Sequence, residues 1–387
     1  SNVPRLNYPL IDGVVKGCPH HILEPERLQR VRYSEDFSQL SSQSNVTISL
    51  NQVISPDGTL NATSFIDNSA SGVHRAFTVY SSNIASGQLV SHSIFAKAKE
   101  HKWFQLSTGG NTNDQWANFD LENGVIGNSS SSANPIIENY GNGWYRCILF
   151  ATTSATNASL AGLITLTNNL DATSRSPSYS GSNKGVYLFG LQIEEGSFPT
   201  SYIPNYGTAA GVTRSAETAN GSGSASTFND SEGVFYVEMK SDFNDAATKR
   251  ISISDFTNNN RLTLYFNVST NLVGTVIVTA LGGSPSSLSY VVPSFSTYNK
   301  IALKYKTNDY ALWVNGVEVD TELIGNTFAP NVLKTIRFEQ GAGGLHYFYG
   351  NTKQLQYFDT ALNSKDLEKL TSWVSFQDMA EGQLYTI

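Results

Sequence analysis

The chain of 387 residues is poor in residue types on which many functions depend. It has 2 cysteines, and its 15% of charged residues is below the usual quarter. Because Cys18 and Cys147 are far apart in sequence, they cannot form a metal cluster, and we expect two unpaired thiols that pack as small apolar groups. No apolar run is long enough to span a bilayer, so membrane insertion is not expected. The net charge of −7 argues against a nucleic-acid partner, since phosphate binding requires clustered Lys and Arg.

Motifs for catalysis are also missing. The sequence contains no HExxH, GxSxG, Walker or dinucleotide-binding motif, and its 6 histidines are not set at ligand spacing. Glu194 and Glu195 form an adjacent carboxylate pair near the end of an alternating stretch. Consecutive side chains of a strand point to opposite faces, so these two cannot flank one glycosidic bond as a hydrolase requires. We therefore expect a strand end there, and not an enzyme.

What the sequence has in quantity is aromatic and small polar residues. It contains 19 Tyr and 20 Phe, and short runs with period-two alternation are separated by Gly, Asn and Ser. This pattern predicts an all-β protein of two tandem β-sandwiches, in a jelly-roll or lectin-like arrangement. Asn315-Gly316 between apolar runs predicts a tight hairpin. A single short helix is expected at about 363–372, with Asn363 as its N-cap.

Changes in composition predict the domain boundaries. Prolines in the first residues indicate an extended arm, and the Gly/Ser-rich stretch 217–233 indicates a flexible connection. The expected organisation is an arm at 1–35, a carbohydrate-binding-module-like sandwich at 36–205, a linker at 206–232 and a second sandwich at 233–387. In the arm we expect Leu6, Tyr8, Ile11, Ile22 and Leu23 to pack against a sandwich or a neighbouring subunit.

Residues 2 to about 216 contain an arm, two inner motifs and an exit motif: "NVPRLNYP" with "CPHHILEPERLQRVRYSEDFS", "SPDGTLNA", "NYGNGWYRC" and "YLFGLQIEEGSFPTSYIPNYGTAAGVTR". With these motifs the first half resembles modules of phage tail and tail-fibre proteins. The resemblance implies a viral protein on the virion surface, in a tail fibre or spike. Its implied partners are a host cell-surface glycan as receptor, other virion proteins and copies of the same chain, with a trimer favoured.

The second half is similar to the laminin G type of concanavalin A-like, lectin-like domains. The similarity rests on "KIALKYKTNDYALWVNGVEVD" and "LQYFDTALNSKDLEKLT", which look like the penultimate hairpin and the closing strand and helix of that family. Lectins, adhesins and accessory modules share this pattern, so it implies a fold more firmly than a function.

Tryptophans beside amides and hydroxyls are the candidate sugar-binding residues, because pyranose rings stack on exposed aromatic faces. Trp103 and Trp116 have such neighbours, and Trp313 alternates with apolar residues and so is expected to face solvent. Trp144 and Trp373 are expected to cover the core. The polar partners expected around Trp116 are Asn113, Asp114 and Gln115.

No cofactor is required by these patterns. Calcium is left open as an alternative, because lectin-like sandwiches often use loop oxygens, with Asp255, Asp320 and Asp359 near strand ends as candidates. The preferred interpretation is thus carbohydrate binding through aromatic stacking. A purely structural spacer, a polysaccharide-degrading enzyme and a bacterial secreted adhesin are the alternatives.

Overall fold

The computed structural model describes residues 5–8, 10–11, 13–15, 17–81, 83–157, 159–241 and 247–383. The chain divides into two compact units. The N-terminal unit consists of Glu26–Ser215 with Asp12–Val14, and the C-terminal unit consists of Ala216–Ile387 with Ser1–Ile11 and Val15–Pro25.

Nearly all regular structure is β-strand. The strands up to the end of the N-terminal unit are β1 (Leu6–Asn7), β2 (Leu10–Ile11), β3 (Val14–Val15), β4 (His20–Leu23), β5 (Arg27–Gln29), β6 (Ser42–Ser44), β7 (Val46–Ile54), β8 (Leu60–Asp67), β9 (Ser71–Val73), β10 (Arg75–Ser81), β11 (Leu89–Ala98), β12 (Trp103–Gly110), β13 (Trp116–Asp120), β14 (Val125–Ser129), β15 (Ile136–Gly141), β16 (Trp144–Thr152), β17 (Ser159–Leu166), β18 (Ser178–Ser180), β19 (Gly185–Glu195) and β20 (Val212–Arg214).

The strands that follow belong to the C-terminal unit. They are β21 (Asn220–Ser222), β22 (Glu232–Lys240), β23 (Thr248–Ser254), β24 (Arg261–Asn267), β25 (Leu272–Val278), β26 (Ser289–Val291), β27 (Asn299–Lys306), β28 (Tyr310–Val314), β29 (Val317–Glu322), β30 (Thr335–Arg337) and β31 (Gly350–Phe358). The helices are α1 (Ser364–Thr371) and α2 (Phe376–Gly382), and 3-10 turns span Phe37–Gln39 and Val268–Thr270.

The N-terminal unit is a sandwich of two antiparallel sheets. One sheet has the order β14-β13-β12-β17-β10-β6, and the other has the order β15-β16-β11-β19-β8-β7. Alternate side chains of both sheets meet in one apolar core, to which Phe104 and Phe119 contribute from the first sheet and Ile94 and Leu149 from the second. Because the period is two, the intervening residues of β12 and β13 face away from this core.

The C-terminal unit is also a sandwich of two antiparallel sheets. Its sheets have the orders β1-β4-β31-β22-β27-β28-β29 and β21-β30-β23-β24-β25-β26. The core contains the residues that alternation predicted as inward-facing: Phe235, Val237, Met239, Leu262, Leu264, Phe266, Ile301, Leu303 and Tyr305. Asn315 and Gly316 both have positive φ, at 49° and 89°, and connect β28 to β29 as the predicted hairpin.

The arm is ordered where its backbone extends a sheet. β4 pairs with the start of β31, and Ile22 and Leu23 are buried there. Leu6 and Tyr8 are each 53% exposed, so they do not pack against a sandwich of the same chain, and packing against a neighbouring subunit stays a prediction. The side chain of Ile11 lies outside the described residues.

Parts of the stretch 206–232, predicted as a linker, are ordered. This stretch contains β20, which pairs with β5, and β21, which pairs with β30. Backbone hydrogen bonds therefore order parts of a stretch whose composition suggested flexibility. α1 begins after Asn363, whose side chain accepts the N–H of Asp366 as predicted, but the second helix α2 was not expected.

Cys18 is exposed, Cys147 is buried, and both are free thiols. Burial raises the pKa of the Cys147 thiol well above its usual value, so this thiol stays neutral. In the described part of the chain, no helix is long and apolar enough to cross a membrane.

Candidate functional site

Trp103 and Trp116 lie on the same outer face of the β12–β13 ladder. Trp103 is opposite Asp120, and Trp116 is opposite Ser107, four residues further along β12. Four residues of strand place the two rings about 13 Å apart along one face. Both tryptophans are partly exposed, as side chains outside the core should be.

The centre of this face is covered by the chain that follows β17. Between the tryptophans, Gln105 and Asn118 are completely buried, and the Gln105 amide donates to Asn118 Oδ1 at 2.9 Å. Asn118 also donates to the carbonyl oxygens of Leu170 and Ala172, both at 2.9 Å. These bonds hold the covering segment in place, so only the two ends of the face remain open.

A pocket of about 340 Å³ opens at the Trp103 end. It contains two aromatic side chains and several hydroxyl, amide and charged groups, and its lining residues are Glu100, His101, Lys102, Trp103, Asn168, Tyr179, Ser180, Ser182 and Lys184. An aromatic wall beside exposed polar groups is the arrangement that holds a sugar ring in many proteins. This pocket is the candidate site.

A buried carboxylate organises one side of the pocket. Asp67 Oδ2 accepts a hydrogen bond from the Tyr179 hydroxyl at 2.7 Å and lies 2.8 Å from His101 Nε2. Asp67 Oδ1 accepts the backbone N–H groups of Ser182 and Lys184, at 2.9 and 2.8 Å. One carboxylate thus fixes the aromatic ring, the imidazole and the loop that line the pocket.

The charge state of Asp67 follows from these bonds. Burial alone would raise its pKa, but the hydrogen bonds from His101, Lys184, Tyr179 and Ser182 outweigh burial and lower the pKa to about 2. Burial, together with the bond to the Asp67 carboxylate and its charge, raises the pKa of Tyr179. At neutral pH an ionised Asp67 therefore accepts hydrogen bonds from the neutral Tyr179 phenol and from His101 Nε2–H.

Two lysines flank the pocket in different electrostatic settings. Lys102 forms an ion pair with Glu122, which is itself exposed. Lys184 is exposed and forms no ion pair within the described residues. The pocket therefore offers a free ammonium donor beside its aromatic wall.

The polar neighbours of Trp116 serve the fold instead. Gln115 is only 5% exposed, and its Oε1 accepts the Ser130 hydroxyl at 2.6 Å. Asn113 Oδ1 accepts the N–H of Thr152 at 2.9 Å. Asp114 is exposed and pairs with Arg175 at 3.2 Å. Gln115 is thus not available to a ligand, contrary to the expectation, because its side chain is bonded to Ser130, which follows β14, and to the Asn113 carbonyl oxygen.

The expectation that Trp313 faces solvent is wrong. Trp313 points away from the main core, as alternation required, but it is only 6% exposed. It packs in a second apolar cluster with Tyr236 and with Leu367 of α1. The helix covers this face of the sheet, so Trp313 cannot serve as an open platform.

The other tryptophans and the calcium candidates occupy structural positions. Trp144 is 2% exposed, as predicted for a core residue, and Trp373 is partly exposed. The Asp255 carboxylate accepts the N–H of Thr257, and the Asp320 carboxylate accepts the N–H groups of Ser289 in β26 and Thr321 in β29. Among the described residues no group of three or more His, Cys, Asp or Glu side chains could hold a metal ion.

Glu194 and Glu195 lie on opposite faces, as predicted. Glu195 is exposed, whereas Glu194 is buried, and its carboxylate accepts the Thr200 hydroxyl and N–H at 2.6 and 2.8 Å. The Gln192 amide also donates to Glu194 at 2.7 Å. Glu194 therefore stabilises the turn after β19.

Sequence reasoning found Trp103 and missed its partners. Asp67, His101, Tyr179 and Lys184 come from separate elements, and no spacing links them in the sequence. A local signal in the sequence is the stretch "SGSNKG", whose glycines and small polar residues indicate a short loop. In the structure a Cβ at Gly181 of this loop would lie 1.9 Å from the Asn68 carbonyl oxygen. Such a close approach marks a tightly packed loop.

Comparisons with known proteins add little to this geometry. No protein-family model matches the chain, and no curated protein sequence is significantly similar. A solved structure of the CBM40 module of the Ruminococcus gnavus IT-sialidase, bound to α2,3-sialyllactose, is 19% identical; the match covers 40% of this chain and 97% of that one, with a TM-score of 0.34. Mouse laminin α1 domains LG4-5 are 9% identical over 90% of this chain and 96% of that one, with a TM-score of 0.25. A heptameric pentraxin from Limulus polyphemus is 15% identical over 41% and 76%, with a TM-score of 0.32.

The class of protein follows from the structure itself. The chain is an all-β protein of two β-sandwich units, each with a core between antiparallel sheets. The TM-scores are too low for these likenesses to carry any inference about what the chain binds.

Proposed function

We propose that the chain is a carbohydrate-binding protein whose N-terminal unit holds a sugar ring against Trp103. The observation that supports this most directly is the 340 Å³ pocket in which Trp103 and Tyr179 stand beside Asn168, Ser180 and Ser182. An indole face stacks on the C–H face of a pyranose, while hydroxyl and amide groups exchange hydrogen bonds with the sugar hydroxyls. The Asp67 network orders this wall before a ligand arrives, which lowers the entropic cost of binding.

The biological setting we propose is the surface of a virion, in a phage fibre or spike. Its support is the sequence resemblance of residues 2 to about 216. Several copies of the chain on one particle, in a trimer or a larger assembly, would raise the effective concentration of weak single sites. We further propose that the chain binds sugars without cleaving them. The buried Glu194 carboxylate is hydrogen-bonded to Thr200, and Glu195 lies on the opposite, exposed face of the strand.

A structural role is our proposal for the C-terminal unit. The observation that favours it is the burial of Trp313 beneath α1, which removes the one aromatic platform that the sequence suggested there. This unit would then act as a spacer that carries the binding unit.

The test is a glycan array of host surface polysaccharides, followed by titration calorimetry on the best ligand. We expect Trp103→Ala to weaken binding by about 1–3 kcal/mol, the scale of a lost aromatic contact. Trp116→Ala is the matched control, because it makes the same change on the same face outside the pocket. No binding to any glycan, or an equal loss in both variants, would contradict the proposal.

A further inference from the structure

A second cavity of the N-terminal unit has a different chemistry from the Trp103 pocket. Its volume is about 390 Å³. Its walls come from the chain after β5, the 3-10 turn Phe37–Gln39, β10 and the loop before β20, and its lining includes Arg30, Arg32, Tyr33, Gln39, Ser41 and Tyr80. The described lining contains two arginines and no aspartate or glutamate.

Both arginines line the cavity from the segment between β5 and the 3-10 turn. Val31 between them is completely buried in the core, whereas Arg32 is exposed and Arg30 is partly exposed. In a chain of net charge −7, this segment places two positive charges in one cavity.

The guanidinium groups are held in place but not neutralised. Arg32 Nε donates to the Gly207 carbonyl at 2.9 Å, and its guanidinium lies 5.1 Å from the centre of the Tyr33 ring. Arg30 donates to Asn83 Oδ1 from both terminal nitrogens, at 3.4 Å. Neither arginine forms an ion pair among the described residues. The charge of Glu195 acts on Arg30 from a distance, but burial has the larger effect and lowers the pKa of Arg30.

The rest of the cavity suits a sugar ring. Tyr33 and Tyr80 supply aromatic surface, and burial raises the pKa of Tyr80, so its phenol stays neutral. Ser41 donates to the Thr78 hydroxyl at 3.0 Å, and Gln39 adds an exposed amide. The volume lies at the lower end of the range for small-molecule sites, which fits one monosaccharide unit with one substituent.

We infer that this cavity binds the anionic substituent of an acidic sugar, a carboxylate or a sulfate, between Arg30 and Arg32. Guanidinium groups present paired N–H donors whose geometry matches two anionic oxygens, and such charge-assisted bonds are about twice as strong as neutral ones. The inference rests on the proposed function only in taking a sugar as the ligand. The residues that carry it are separate from the Trp103 pocket. It also differs from the expectation of binding through aromatic stacking, and the negative net charge of the chain does not exclude it, because net charge does not describe a local site.

Saturation-transfer NMR titrations with three monosaccharide probes test the inference on the full chain. The probes are methyl glucuronide, methyl glucoside 6-sulfate and the neutral methyl glucoside, which are too small to span both sites. We expect the two anionic probes to bind at least about tenfold more tightly than the neutral one, and their affinity to fall with added salt. The ratio between the two anionic probes identifies the carboxylate or the sulfate as the preferred group.

Variants assign the effect to the cavity. Arg32→Gln should weaken the binding of the anionic probes about tenfold. Arg32→Lys should restore part of that affinity, because lysine returns the positive charge but not the paired N–H donors of the guanidinium group. Lys97→Gln removes one positive charge elsewhere in the unit and should change little. Arg32 is exposed, so an unchanged melting temperature is expected and confirms that the fold is intact.

Equal binding of anionic and neutral probes, or equal effects of Arg32→Gln and Lys97→Gln, would overturn the inference. Trp103→Ala distinguishes the two proposals, because it should leave the anionic preference unchanged. If Trp103→Ala has no effect on any glycan while the arginine effect persists, the proposed Trp103 site fails and this inference stands.

Discussion

Both units place a tryptophan on the outer face of a sheet, yet the two residues have opposite surroundings. Trp103 in the N-terminal unit is partly exposed beside a pocket, whereas Trp313 in the C-terminal unit is 6% exposed under α1. The local patterns are alike, since each tryptophan alternates with core residues. The difference lies in which later segments of the chain pack on each face. Residues 170–176 cover only the centre of the face that carries Trp103, whereas α1 covers the face that carries Trp313.

This comparison teaches that alternation reports on which face of a sheet a residue lies, and not whether that face is free. A second layer turns an outer face into a second, smaller core. In the C-terminal unit this layer is a helix whose buried Leu367 meets Trp313 and Tyr236. Candidate binding residues on β-sandwiches therefore need to be checked against every element that follows in the chain.

The largest expected effect concerns Trp313. We expect Trp313→Ala to lower the free energy of unfolding by about 3–5 kcal/mol, the cost of removing a buried aromatic side chain. Denaturant unfolding of the full chain, followed by a probe in the C-terminal unit, measures it. A loss below about 1 kcal/mol would show that α1 does not bury this ring in solution, and the contrast with Trp103 would disappear.

The next effect compares buried histidines in the two units. His92 in the N-terminal core has no hydrogen-bond partner for either ring nitrogen among the described residues, and burial lowers its pKa to about 3. His20 in the C-terminal unit is hydrogen-bonded to Tyr298, and burial, with the charges of Lys353 and Lys240, lowers its pKa to about 4.

For both histidines the unfolded chain binds a proton at a pH where the native chain does not. The free energy of unfolding therefore keeps its full value above about pH 6.5 and decreases as the pH falls. The decrease due to His92 continues down to about pH 3, and that due to His20 continues down to about pH 4. At pH 4 the uptake of a proton by His92 of the unfolded chain lowers the free energy of unfolding by about 3 kcal/mol. We expect His92→Leu to remove this part of the acid sensitivity, as measured by unfolding at pH 7 and pH 4. The same pH dependence in variant and parent would contradict the assignment.

A smaller effect tests the covering helix itself. The Asn363 side chain accepts the Asp366 N–H at 3.0 Å and caps α1. Asn363→Ala should cost about 1 kcal/mol and should increase the accessibility of Trp313 to an aqueous fluorescence quencher. Ser375→Ala, which removes the equivalent cap of α2, is the control, since α2 is not part of the Trp313 cluster. Equal quenching in both variants would argue against α1 as the cover.

The smallest effect on the free energy of unfolding is expected at the partly exposed tryptophans Trp103 and Trp116. Trp103→Ala and Trp116→Ala should each lower the free energy of unfolding by less than the buried Trp313 does, by about 1 kcal/mol, because neither ring is part of a core cluster. Thermal unfolding measures this. A cost of about 3–5 kcal/mol for Trp103→Ala would mean that the ring is a core residue and would remove the basis of the proposed site.

Much of the fold could be predicted because its signals are local. The inward residues of β22, β24 and β27, the Asn315-Gly316 hairpin and the Asn363 cap all follow from periods of two, from turn chemistry and from capping. The helix α2 was not predicted. Its N-cap Ser375 stands in a stretch with little periodicity.

The sequence by itself determined that this protein is all-β, that it forms two sandwiches, and that Trp313 points away from the main core of its unit. These properties depend on neighbouring residues, whose side chains alternate whatever the rest of the chain does. Only the tertiary structure decided that Trp103 borders a pocket, that Trp313 is covered, and that Arg30 and Arg32 share a cavity. The physical reason is that exposure, a hydrogen-bonded network such as that of Asp67, and a concentration of charge all depend on residues distant in sequence. Their proximity is set by packing, which no local pattern encodes.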